Sequence, residues 1–153
     1  MTEQQVKLIV EAVVSHAATS GWFERVNGHE PKNAPGHGLT AAVWMQRITP
    51  VAAQSGLAAT SALLLLNVRV YASMLTEPQD AIDPNLTAAT AALMGAYTGD
   101  FTLGGLVADV DLLGRHGTAL AAEAGYLEQD RKMFRVYTVT VPLVVNDIWE
   151  QAA

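Results

Sequence analysis

The chain contains no cysteine. That excludes disulfide staples, thiolate nucleophiles and zinc sites built on thiolates. Charge is scarce as well: Asp, Glu, Lys and Arg make up 16% of 153 residues, against roughly 25% in an average soluble domain. Basic side chains are the rarer sign, nine against fifteen acidic ones, for a net charge of −6. The cationic footprint that binds nucleic-acid phosphates is therefore missing. Long apolar runs are missing too. The most apolar window, Leu57 to Leu66, ends at Asn67 and Arg69, whereas a membrane-spanning helix needs roughly 20 apolar residues. At the N-terminus Glu3 precedes any positive charge and Glu11 interrupts the apolar stretch, unlike a secretory signal. The expectation is a soluble, unexported protein with no membrane partner. No repeat, low-complexity tract or linker divides the chain, so residues 1–153 read as one domain.

What is present is apolar and small. Half of the residues are apolar and 25 are alanine, enough for a core without staples and for a neutral surface that a neighbouring subunit can cover. Val6, Ile9, Val10, Val13, Val14 and Ala17 fall at helical spacing. They predict an amphipathic helix from Glu3 to Thr19, with Thr2 and Gln5 placed to form a capping box. Trp22 to Val26 reads as a short edge strand, and residues 27–38, rich in proline and glycine, as a long loop. Leu39 to Ile48 reads as a strand with Ala41, Val43, Met45 and Arg47 on one face, closed by Pro50. A second loop covers 51–59. Thr60 to Ser73 is the longest strand candidate. Its Ala62, Leu64, Leu66, Val68 and Val70 make a buried face; Leu63, Leu65, Asn67, Arg69 and Tyr71 make the other, apolar at one end and polar at the other.

Asp83-Pro84 reads as helix cap and first helical residue, and the helix runs to about Tyr97. Phe101–Leu103 and Val107–Leu113 read as short strands. Leu120–Gln129 and Met133–Val145 flank a hairpin turn at Asp130-Arg131, with Pro142 marking an edge or bulge. Helix, strands, helix, strands predicts an α+β fold: an antiparallel-dominated mixed sheet with two main helices packed on one face.

The chemistry-bearing residues are few. His29, Glu30 and His37 share one loop and comprise a zinc-compatible set, but glycine and proline spacing fixes no common face. His16 reads as a helix-end residue and His116 as a turn residue. Asp109 and Asp111, two apart on a strand, share a face; such a pair can hold a cation or transfer protons, yet no companion ligand stands at a diagnostic distance. Arg131, Lys132 and Arg135 cluster at the last hairpin and can touch a phosphate or stay solvated. No serine lies in a nucleophile-elbow context, and Gly104-Gly105 opens no helix, so it is not a phosphate loop. The chain reads as a non-enzyme without a cofactor or metal.

Several stretches carry a resemblance. DFTLGGLVADVDLLGRHG (100–117), AGYLEQDRKMFRV (124–136) and TVPLVVNDIW (140–149) are similar to tail terminator proteins of long-tailed actinobacterial phages. So are SHAATSGWFERVNGHEPKNAPGHGLTAAVW (15–44) and YASMLTEPQDAIDP (71–84). The likeness covers nearly the whole chain and rests on extent and order, since no chemical motif is involved.

The resemblance implies a structural protein of the virion, at the head-proximal end of the tail and assembled in the host cytoplasm. Its protomers close into a ring, usually a hexamer, that caps the tail tube, stops its polymerisation and offers a surface for head attachment. The implied partners are further copies of itself, the tail tube protein and a connector or neck protein. DNA passes through the lumen without specific binding. Asp109, Asp111, Glu123 and Glu128 are candidates for an acidic lumen. The loop carrying His29, Glu30, Pro31, Lys32, Asn33, Pro35 and His37 is a candidate contact with a neighbour or the tube. Trp22, Trp44 and Trp149 suit core or contact equally. Two other readings remain: a head-completion or stopper protein of the connector, and a small metal-dependent hydrolase using His29, Glu30 and His37.

Overall fold

The structure, a computed structural model, describes residues 3–29, 38–51, 59–75 and 79–150. In chain order it comprises α1 (Glu3–Thr19), β1 (Arg25–Asn27), β2 (Leu39–Val51), β3 (Ala59–Ser73), α2 (Ile82–Gly99), β4 (Asp109–Val110), β5 (Ala121–Gln129) and β6 (Lys132–Glu150). The strands form one open sheet in the order β1-β2-β3-β6, and β4 and β5 share the far side of β6. Among the described residues only the β1–β2 pair is parallel. The fold is thus α+β with a mixed, mostly antiparallel sheet and two helices, as the pattern predicts.

The helical periodicities translate into packing. α1 buries Ile9, Val13 and Ala17, and α2 buries Ile82, Leu86, Ala89, Thr90, Leu93 and Tyr97. They meet Ala62, Leu64, Leu66, Val68 and Val70 of β3 and Val139, Val141 and Leu143 of β6, all fully buried. Full burial of each such Leu or Val is worth roughly 1.5–3 kcal/mol, so this layer supplies most of the driving force.

The other sheet face carries two smaller clusters that contain no helix residue: Val51, Leu63, Leu65 and Val144, and Ala42, Tyr71, Phe134 and Val136. Tyr71 therefore belongs to an apolar end rather than the expected polar one. It packs edge-on against Phe134, ring centroids 6.3 Å apart. On β3, Asn67 and Arg69 keep the middle of that face polar, beside Thr140 and Thr138 of β6.

Several expectations need correcting. β2 does not stop at Pro50 but runs through it to Val51. The Leu39 carbonyl accepts the Glu24 N–H on the β1 side, so by alternation Thr40, Ala42, Trp44 and, past the bulge, Arg47 bond to β3, and Pro50 turns its missing N–H away from it. A bulge between Met45 and Arg47 shifts the register, so Arg47 leaves the face of Ala41, Val43 and Met45 and lies exposed. Asp83 is not the cap of α2: the helix starts at Ile82 behind a 3-10 turn, and no side chain caps it. Phe101–Leu103 is a turn, with Leu103 at φ 48°, and the strand expected over 107–113 shrinks to β4. Pro142 sits in a central strand, not at an edge. Its carbonyl accepts the Asp111 N–H at 2.9 Å, so its missing donor faces the gap between β4 and β5 and costs no ladder bond.

Candidate functional site

The helix-free face of the sheet concentrates the polar groups that the core does not consume. Arg69 on β3 donates from Nε to Thr138 Oγ1 at 3.0 Å. Its guanidinium lies 5.3 Å from the centroid of the Trp44 ring, a cation–π distance. Beside it lies an open depression of about 230 Å³, lined by Arg69, Glu123, Gly125, Leu127, Val136 and Thr138 among others. The register explains it. Glu123, Gly125 and Leu127 pair with Thr138, Val136 and Phe134, and glycine supplies no side chain between its two neighbours. The result is a shallow groove with a cation at its floor and a carboxylate at its rim.

Glu123 and Glu128 are both exposed on β5, but their odd spacing puts them on opposite faces of the sheet. Asp109 pairs with Val144 and so shares the helix-free face with Glu123.

Asp111 follows the end of β4 at Val110, and its N–H still reaches the Pro142 carbonyl of β6, so Arg115 meets both it and Asp109. Asp111 is 3% exposed. One carboxylate oxygen accepts the Arg115 N–H at 2.8 Å and the other the His116 N–H at 2.9 Å. Its charge organises the turn and is not presented to solvent. Asp109 receives the Arg115 guanidinium at 2.7 Å, and its second oxygen is buried without a partner among the described residues, as is His116 Nε2.

His16 ties the ends of the two helices together. Its Nε2 lies 3.0 Å from Asp100 Oδ2, and its ring meets Tyr97 edge-on at 5.6 Å. Tyr97 in turn donates its hydroxyl to the Val13 carbonyl at 3.1 Å. The Gly104 N–H, and after it His16, hold the Asp100 carboxyl below the usual carboxylate range. Burial pushes the Tyr97 phenol up.

Arg135 is also committed: Nε donates to Asp83 at 3.0 Å, a terminal nitrogen donates to the Gly125 carbonyl, and the guanidinium stacks on Tyr126 at 4.5 Å. It therefore leaves the basic hairpin cluster expected with Arg131 and Lys132.

Of the long loop, His29 is described; Glu30, Pro31, Lys32, Asn33, Pro35 and His37 lie outside the described residues, as do 52–58 of the second loop and the capping residue Thr2. Among the described residues no three His, Asp or Glu side chains converge on a metal position. Trp22 is exposed, whereas Trp44 and Trp149 are half-buried against apolar clusters. Sequence reasoning missed the Arg69 groove. Its signal was the pair Asn67 and Arg69 inside an otherwise apolar strand, together with a glycine in the strand two places away in the sheet.

No protein-family model matches this chain, and no curated protein matches it.

Proposed function

We propose that this chain is the tail terminator of a long-tailed phage: a ring-forming protein that caps the tail tube, ends its polymerisation and receives the head. The reading rests on the resemblance of the segments between residues 15 and 149 to that family, in order. The α+β build is compatible with such a protomer. So is a surface with little charge, on which Phe101 and Leu113 of the 100–117 segment are 51% and 94% exposed. Apolar side chains this exposed suit burial by a neighbour.

The ring is a heterologous contact that closes, with partners at its two faces: the tail tube protein and a connector protein. DNA crosses the lumen in transit. An acidic lining keeps the duplex from sticking, since phosphates bind basic surfaces through counterion release. Glu123, exposed on the helix-free face, is the carboxylate best suited to that lining, whereas Asp109 is paired with Arg115. Asp111 is excluded by its burial.

A stop codon early in the coding sequence, in the phage that encodes it, tests the proposal. Overlong headless tails in electron micrographs support a terminator. Tails of normal length beside unattached full heads support a head-completion protein instead. The hydrolase reading requires bound metal that His29→Ala and His37→Ala abolish, which metal analysis of the purified chain measures.

A further inference from the structure

β5 leaves one side of the sheet open. Among the described residues it pairs only with β6, and none of its nine residues is buried. Asp130 and Arg131 adopt φ of 52° and 63°, the left-handed pair that a two-residue hairpin turn needs. In such a hairpin the closing pair, Gln129 and Lys132, is hydrogen-bonded, and the pattern alternates back along the strand. Gly125 and Leu127 therefore bond to β6, while Ala122, Ala124, Tyr126 and Glu128 turn N–H and C=O outward. β6 shows the same alternation from its other side: the Met133 carbonyl accepts the Met74 N–H at 3.1 Å, away from β5.

Natural sheets blunt their edges with proline, lysine or a bulge. β2, on the opposite side, carries two of these devices, the bulge before Arg47 and the outward Pro50. β5, with the sequence AAEAGYLEQ, has no proline, lysine or bulge, and its charged residues are the two glutamates Glu123 and Glu128. Its sequence is also self-complementary. When two copies run antiparallel with Gly125 facing Gly125, Ala124 meets Tyr126 and Ala122 meets Glu128 as hydrogen-bonded pairs. Tyr126, 63% exposed, then has an alanine opposite it, and Glu123 faces Leu127. No carboxylate faces another directly, the arrangement that cross-strand pairing disfavours.

We propose that β5 is a homotypic docking edge through which a second copy of this chain pairs, antiparallel and two-fold about Gly125, so that the sheet continues from one protomer into the next. The contact joins like surfaces, whereas ring closure joins unlike ones, and it goes beyond the terminator reading.

The absence of cysteine makes the test clean. A Cβ at Gly125 meets only Val136 Cγ2, at an ordinary 3.8 Å. In the two-fold register the paired Cα atoms stand about 4.5 Å apart, within disulfide reach. Gly125→Cys should oxidise to a reducible dimer, whereas Glu128→Cys, which faces Ala122 of the other copy, should not. Ala124→Pro deletes an outward N–H without touching the β5–β6 ladder. It should halve the light-scattering mass, to the 16.3 kDa of one chain if the pair is the only assembly formed, with the thermal melt retained. Equal oxidation of the two cysteine variants overturns the proposal, as does an unchanged mass for a folded Ala124→Pro protein. If that variant does not fold, the cysteine contrast decides alone. Rings that form without a Gly125→Cys cross-link would sink the two-fold edge and leave the terminator reading standing.

Discussion

Tyr97 shows how one buried hydroxyl sets a pH limit. Its phenol sits among apolar side chains and bonds to Val13, and burial raises its pKa. A raised value stabilises the fold fully below the unfolded phenol pKa of about 10, and that stability drains away as pH rises beyond it. Tyr97→Phe should cost about 1 kcal/mol at neutral pH through the lost hydrogen bond, and should flatten the loss of stability above about pH 10. Urea midpoints of the two proteins from pH 7 to 11 measure both effects. Asp100 acts at the other end of the scale. Its carboxyl is held low by the Gly104 N–H and by His16, so its contribution is present above the unfolded carboxyl pKa of about 3.9 and is lost as pH falls through the folded value. Asp100→Asn should weaken the acid-side slope of the same curve. Asp111 is a purely local case: Asp111→Ala strips two backbone N–H groups of their acceptor and should destabilise by about 1–3 kcal/mol in urea titration, more than Asp111→Asn.

At the scale of elements, periodicity made the helices, β3 and the hairpin legible, because each has a face that must be buried. It failed where a single residue changes the count. The bulge before Arg47 moves every later β2 side chain to the other face, and no residue type announces it. Phe101 to Leu103 looks like a strand because it is apolar, yet Leu103 takes a left-handed φ. Asp109 and Asp111 have strand spacing, but Asp111 is buried by the turn whose N–H groups it accepts. Tyr71 was read as polar because its covering residues, Phe134 and Val136, lie more than sixty positions away. The Arg69 groove was hidden for the same reason, since it exists only once β3, β6 and β5 are side by side. The glycines around the acidic turn allow a sharp test of local geometry. Gly114 and Gly105 both have positive φ, but a Cβ on Gly114 would sit 3.0 Å from the Ala119 backbone nitrogen, whereas Gly105 has open space. Gly114→Ala should therefore cost clearly more than the roughly 1 kcal/mol expected for Gly105→Ala, as thermal melts of the two variants will show.

For the whole molecule, surface and charge are what join an open mixed sheet to an assembly role. The helix-free face carries Arg47 and Arg69 as well as Asp109 and Glu123, and Arg115 pairs with Asp109, so the exposed Glu123 is the carboxylate left to act there. If that face lines the lumen, Glu123→Lys should slow DNA ejection while tails still assemble and join heads. Ejection kinetics followed by dye fluorescence check this, and wild-type rates from the variant would remove the acidic-lumen idea. The central claim is tested most directly by letting purified tail tube protein polymerise with and without the chain and measuring tube lengths by electron microscopy. Growth should stop, and a ring should close the tube tip. Tubes that elongate unchanged, with bare tips, would contradict that claim.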